Sequence, residues 1–319
     1  MIVREWTDSD RANWREIVRS FEGNPLLLPE VSEASESAPD LLLLTLHAEN
    51  ERVGCVLGSR TGRKILGLFG GRPELHLITP PAVAAGIGKE EALAALVEYI
   101  SGKGYGALAV GQGWGEDYGD TPRFSGSIEG SYIEFVIDLT LDRETLDRGM
   151  HKKHLKNVRR ANENGLVLET CDRLETFLLL RDMQESSSER ASERGNAYRI
   201  QEERFFRRAF QAVYKEGPGR VLLAKREDRY VAAFAWLTFG AKAITVRSGA
   251  TREGYESSAM YLLQYELIRR MKEEGVKLLN IGGVPEGATD PAHPNHGLYN
   301  FKRYFGGVPF RRTRLKIEV

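Results

Sequence analysis

The chain has 319 residues, 41% of them hydrophobic and 28% charged, which is the composition of a globular protein with room for two ordinary domains. Forty-five basic residues balance forty-five acidic ones, so bulk charge gives no argument for a polyanionic partner and only a local patch could hold one. Two cysteines, Cys55 and Cys171, exclude a disulfide framework and read most simply as reduced thiols.

The first ten residues contain no apolar stretch of the kind a signal peptide needs. The longest strongly apolar run, residues 41–46, is too short to span a bilayer. The expected location is the cytoplasm, with peripheral contact at the inner face of the membrane left open.

Residues 8–21 can form a helix with Trp14, Ile17, Val18 and Phe21 as its apolar stripe. Residues 23–40, rich in Pro, Ser and Glu, read as an irregular loop. Three strands are expected at 41–47, 52–59 and 64–69, with Glu49-Asn50-Glu51 as the turn between the first two. A helix over 89–100 and strands over 107–110 and 132–139 complete an α/β unit. A hinge is expected near 141–150.

The second half repeats that order. Helices are expected at 174–183 and 201–214, with a polar, mobile segment at 186–196 between them. A meander follows at 220–225, 230–239 and 243–248. In the helix expected at 258–274, Met260, Leu263, Leu267, Ile268 and Met271 share one face. Gly275 stops it, and a strand follows at 277–281. The same architecture thus appears twice, about 170 residues apart, without visible sequence identity between the copies.

The run from Met150 to Gly165 is strongly basic. On a helix, Lys152, Lys153, Lys156, Arg159 and Arg160 occupy one arc of roughly 120°, opposite Met150, Leu155, Val158 and Ala161. Five cations on one face are either solvated or meet an anion, and a tRNA backbone or a diphosphate-linked sugar would suit them. His151 and His154 fall on the apolar side and read as packing residues. The loop 249–257 could receive a phosphate, but the glycine-rich pattern that acetyltransferases use for coenzyme A pyrophosphate is missing, which weighs against ordinary acetyl-CoA chemistry. Asp290, His293 and His296 share one loop, too few groups and too proline-bound to suggest a metal site. No metal is expected. Arg194 and Tyr198 are four apart and would project together from a helix.

The last quarter joins a helix, the strand and glycine loop Lys277-Leu-Leu-Asn-Ile-Gly-Gly-Val-Pro285, and the aromatic and basic segment Gly297-Leu-Tyr-Asn-Phe-Lys-Arg-Tyr-Phe-Gly-Gly307. This run resembles the Fem family of aminoacyl-transferases, which add amino acids to peptidoglycan precursors and carry two copies of the acetyltransferase-like (GNAT) fold. The resemblance covers roughly residues 145–165 and 220–310 and is thin over the first 130. It implies an α/β (α+β) chain of two tandem GNAT-like domains, with mixed twisted sheets flanked by helices. The first would span 1–146, completed by 304–319, and the second 147–303. It implies a catalytic Lys302 that stabilises a developing oxyanion, with Phe301 shaping the pocket. Arg194, Tyr198, Lys152, Lys156, Arg159, Arg160 and Arg303 would hold substrate. The donor would be aminoacyl-tRNA, without a further cofactor, and the acceptor an amine on a sugar-nucleotide or lipid-linked peptide. Two alternatives stand beside it: an N-acyltransferase that uses acyl-coenzyme A, and a silent module that binds an anionic ligand.

Overall fold

In the computed structural model, all residues are described except 7, 35–39, 63, 66–67, 70–71, 112–126, 194 and 197. Contacts divide the chain into two units, Met1–Tyr132 with Arg311–Val319, and Ile133–Phe310. The division falls after residue 132 and after 310, whereas the resemblance implied 1–146 with 304–319 and 147–303.

The first unit contains β1 (Ile2–Glu5), α1 (Trp14–Ser20), α2 (Pro29–Glu33), β2 (Asp40–Ala48), β3 (Glu51–Thr61), β4 (Lys64–Ile65), β5 (Leu68–Phe69), β6 (Glu74–Leu77), β7 (Ala82–Val83), α3 (Lys89–Gly102), β8 (Ala107–Gly111) and the start of β9 (Ser127–Asp138). Its sheet runs β1-β2-β3-β6-β8, followed by the C-terminal strand β15 (Val308–Glu318). Strand β15 pairs antiparallel with β8, from Arg314 opposite Gly111 to Glu318 opposite Ala107. Glu49 and Asn50 both have positive φ, 49° and 74°. A two-residue hairpin loop needs such a pair to match the strand twist, which accounts for the β2–β3 register. Leu93, Leu96 and Ile100 of α3 pack with Leu44, Leu46, Val56, Leu108 and Ile317.

Two expectations for this unit are corrected. The supposed loop after residue 23 contains a 3₁₀ turn, Pro25–Leu27, and α2. Asn24 accepts a hydrogen bond from the Leu26 amide at 2.9 Å, and proline sits in the first position of each element. Proline is tolerated there because its missing N–H would have no partner anyway. In place of one strand over 64–69, Lys64–Ile65 and Leu68–Phe69 are two short strands paired with each other.

The second unit contains the rest of β9, α4 (Arg143–Gly149), α5 (Lys152–Glu163), β10 (Leu166–Thr170), α6 (Leu174–Ser192), α7 (Glu203–Ala209), β11 (Gly219–Arg226), β12 (Arg229–Phe239), β13 (Lys242–Ala250), α8 (Arg252–Glu256), α9 (Ala259–Glu273), β14 (Leu278–Pro285), α10 (His296–Tyr304) and the first residues of β15. Its sheet runs β9-β14-β13-β12-β11-β10. The alternation of strand side chains divides two cores. Leu222 and Ala224 face α5 and α9, whereas Val221 and Leu223 face α6 and α7. The expected stripe of α9 is the buried one, with Leu263, Leu267, Ile268 and Met271 enclosed and Met260 packed at the margin. Each such side chain contributes about 1.5–3 kcal/mol.

Here too the sequence reading needs correction. The expected hinge is helix α4, capped by Asp142, which accepts from the Thr145 amide at 2.9 Å. The polar segment from 186 is the second half of α6, not an irregular stretch. Ser187 explains this, because its hydroxyl is buried against β13 and bonds both the amide and the carbonyl of Ala250. The helix expected at 201–214 is α7 followed by one π-helical turn, Phe210–Tyr214.

Candidate functional site

The site grows from a fork in the second sheet. Strands β13 and β14 are parallel and pair only at Lys242–Ile244 and Leu278–Asn280. Beyond this, β13 continues against β12 as far as Ala250. The residues of β14 past the fork are Ile281-Gly282-Gly283-Val284-Pro285, and Gly282 has φ +78°. A parallel pair that parts leaves backbone groups of both strands open to a ligand.

Lys302 reaches this fork from α10. Its ammonium donates to the Ile281 carbonyl. A Cβ on Gly282 would lie 3.1 Å from Lys302 Nζ, so the glycine leaves the ammonium its place. Burial pulls the Lys302 amine down from its usual value to about 8, while the Glu134 carboxylate favours the charged form. Glu134 is itself buried, and the Asn280 side-chain amide donates to it at 3.1 Å. The other end of Asn280 accepts from the Gly282 amide at 2.7 Å, which fixes the strand as it leaves the fork. On the facing strand, the buried hydroxyl of Thr245 has no hydrogen-bond partner among the described residues.

An aromatic cluster holds α10 in place. Phe301 lies 5.2 Å from Tyr261 and 5.0 Å from Phe305, ring centre to ring centre. His154 of α5 is buried among Tyr261, Phe301, Tyr304 and Phe305. Its Nε2 is 3.2 Å from the Phe301 carbonyl, and burial lowers its pKa to about 4, so the ring is neutral. His151 caps α5 by accepting from the Lys153 amide at 3.1 Å and stacks on Tyr304. His154 is the packing residue that the sequence implied, whereas His151 is exposed and serves as the helix cap.

The five cations of α5 are all exposed, opposite buried His154, Val158 and Ala161. Arg160 also donates to the Glu256 carbonyl at 3.0 Å. Lys152 lines an open cavity of about 650 Å³ with Arg143, Asp147 and Arg148, which does not include Lys302. Arg303 is exposed on α10. Tyr198 is exposed, its amide and carbonyl are bonded to the Ser188 hydroxyl, and its own hydroxyl donates to the Gln184 carbonyl at 3.4 Å. Arg194 lies outside the described residues.

In the loop 249–257, Thr251 caps α8 by accepting from the Gly254 amide at 3.1 Å. Glu253 of the same turn pairs with Arg226 and Arg229. His296 Nδ1 lies 3.0 Å from the Ala288 carbonyl and its Nε2 2.8 Å from Asn300, so this ring braces the turn before α10. Among the described residues no group of three His, Cys, Asp or Glu side chains is arranged to hold a metal. No helix of the described residues is long and apolar enough to cross a membrane. Burial raises the thiols of Cys55 and Cys171 to about 12 and about 11, which makes both poor nucleophiles. Glu134, Asn280 and Thr245 were missed from sequence. The one available signal was a polar Asn280 inside the apolar run Leu278–Ile281.

Residues 148–303 match the family model of the acetyltransferase (GNAT) domain. No curated protein matches the sequence. Among solved structures, the chain is similar to FemX, with a TM-score of 0.75, 13% identity and coverage of 98% of this chain and 97% of that one. It is also similar to L-PGS from Bacillus licheniformis, with a TM-score of 0.55, 14% identity and coverage of 98% and 92%. A third is the C-terminal domain of a putative lysylphosphatidylglycerol synthetase from Agrobacterium fabrum, with a TM-score of 0.53, 12% identity and coverage of 96% and 91%. The expected fold class holds: the protein is a mixed α/β chain with GNAT-like domains, sheets flanked by helices and a Fem-like fold. What the comparisons support chemically is an acyltransferase on that scaffold.

Proposed function

We propose that the protein transfers an aminoacyl group from aminoacyl-tRNA to an amine, on a peptidoglycan precursor peptide or a comparable acceptor. The observation that carries this reading is Lys302, an amine that donates to the Ile281 carbonyl at the strand fork, where burial lowers its pKa to about 8 and the Glu134 carboxylate opposes that shift. Attack of an amine on the donor ester turns the carbonyl oxygen into O⁻. A fixed cation in a partly dry site stabilises that charge more than water does, because it is already oriented. Phe301 packs in the aromatic cluster that fixes the helix carrying it. The unpartnered Thr245 hydroxyl offers a hydrogen bond to a ligand lying in the fork.

The donor assignment rests on three supports. The exposed basic face of α5 suits a nucleic-acid backbone. The coenzyme A pyrophosphate pattern is missing from the sequence. The solved structures of similar fold include a domain of a putative lysylphosphatidylglycerol synthetase. Lys152, Lys156, Arg159 and Arg160, with Arg303, Tyr198 and Arg194, are the proposed substrate-binding set. The reaction needs no metal or further cofactor.

The test is a donor screen with purified protein and a mixed panel of amine acceptors. Labelled aminoacyl-tRNAs and acyl-coenzyme A thioesters are offered in parallel. Transfer from aminoacyl-tRNA alone is expected. Transfer from acyl-coenzyme A alone would replace the reading with an ordinary N-acyltransferase.

A further inference from the structure

Arg247 sits on β13 beyond the fork, opposite Ala235 of β12, on the face covered by α6 and α7. Its guanidinium carbon lies 4.4 Å from the centre of the Phe205 ring and 5.4 Å from that of Phe206. It forms no hydrogen bond or ion pair with any described residue. None of its nitrogens is sealed from solvent. Burial lowers its pKa, and among the described residues the titratable neighbour that acts on it is Tyr214, whose phenol burial holds neutral.

A half-buried guanidinium without a carboxylate is costly, because desolvation is not offset by an opposite charge. Stacking on an aromatic ring returns only part of that. The rings lie beside the guanidinium carbon and take none of its N–H groups, which are the groups that hold a carboxylate or phosphate in a fork. A second unpaired group belongs to the element packed on the same face. The Gln184 side-chain oxygen is buried and has no donor among the described residues. Its backbone amide lies 2.6 Å from where a Cβ on Gly249 would stand, two residues along β13 from Arg247.

We propose that Arg247 binds an oxyanion, carboxylate or phosphate, of the acceptor substrate on the α6–α7 face of β13. The link to the acceptor rests on the acyl-transfer reading, whereas the oxyanion site itself does not. The anionic group of a ligand would satisfy Arg247, beside an element that holds the unpaired Gln184 oxygen on the same face of the sheet. An amine acceptor that also carries a carboxylate or a phosphate has that chemistry.

The test uses thermal unfolding of the whole protein, wild type and Arg247→Met, at matched ionic strength. The probes are N-acetylglycine, its uncharged analogue N-acetylglycinamide, and inorganic phosphate. Wild type is expected to gain Tm with N-acetylglycine or phosphate and not with the amide, and the arm that responds names the oxyanion. Arg247→Met is expected to unfold at the same or a higher temperature without ligand, since it removes an uncompensated charge. Its anion response should weaken by about 10- to 100-fold in apparent affinity. Arg247→Lys keeps the charge without the fork and should respond in between. An unchanged response in Arg247→Met, or none in wild type, overturns the proposal. So does early unfolding of Arg247→Met, which would make Arg247 a packing residue. The titration needs no turnover, so its outcome is separate from that of the Lys302 assays. Once a donor is found, Arg247→Met should raise the KM for acceptor and leave kcat nearly unchanged.

Discussion

The ammonium of Lys302 donates to the carbonyl of Ile281, the first residue of β14 past its last pairing with β13. One contact thus joins the last helix of the second unit to the point where its sheet opens. It places a positive charge at the opening, where the proposed reaction would develop negative charge.

This contact predicts a pH dependence. The Lys302 amine titrates near 8 in the folded chain, below its usual 10.5. An oxyanion role needs the ammonium, so the rate of wild type relative to Lys302→Arg should fall above pH 8. A relative rate that climbs through pH 8 would instead make Lys302 a proton acceptor. The same shift predicts that stability rises with pH between 8 and 10.5, where the unfolded chain holds the extra proton. Below pH 8 both states are charged and the burial cost is fully present. Lys302→Met should flatten that rise in Tm.

His154 predicts a second window with the same sign. Its folded pKa is about 4 against 6.5 unperturbed, so between these values only the unfolded chain binds the proton. Tm should fall as pH is lowered from 6.5 to 4. Replacing His154 by Phe, which keeps the aromatic packing, should reduce that fall. Equal acid sensitivity in the variant, measured by calorimetry, would assign the effect elsewhere.

Packing between α6 and β13 leaves no room at Gly249. A Cβ there would meet the Gln184 amide and the Met183 carbonyl carbon at 2.6 Å, both backbone atoms that cannot swing away. Gly249→Ala should destabilise by about 1–3 kcal/mol, the usual effect of overpacking. Urea unfolding measures it, and a midpoint equal to wild type would show that the helix can shift.

The exposed face of α5 should bind a polyanion. Lys156→Glu with Arg159→Glu leaves the buried side of the helix untouched, so Tm should hold. Affinity for tRNA should drop, and the slope of log affinity against log salt should become shallower by about two. Unchanged affinity and slope would mean that the face is only solvated.

Much of the second unit was legible because its signals are local. The apolar stripe of α9, its glycine stop and the alternation of β11 and β12 are written in adjacent residues. Short strands were harder. Strands β6 and β10, four and five residues long, carry too little alternation to separate from loop. The second half of α6 looked like loop because Ser187 is polar, yet its hydroxyl is satisfied by Ala250, 63 residues away. The site shows the same limit. Lys302 and Phe301 came from a resemblance carried by a contiguous segment. Glu134, Asn280 and Thr245 come from three strands, and nothing in their local sequence joins them. Arg247 escaped notice because the absence of a carboxylate around an arginine is a property of the folded chain alone.

The central claim, acyl transfer with Lys302 facing the developing oxyanion, is tested most directly by steady-state kinetics of Lys302→Ala with whichever donor the screen identifies. Removing one oxyanion donor lowers kcat by about 10²–10³-fold. The expected result is a loss of that size in kcat, with KM nearly unchanged and the circular dichroism spectrum of wild type. A folded Lys302→Ala that turns over at the wild-type rate would contradict the account.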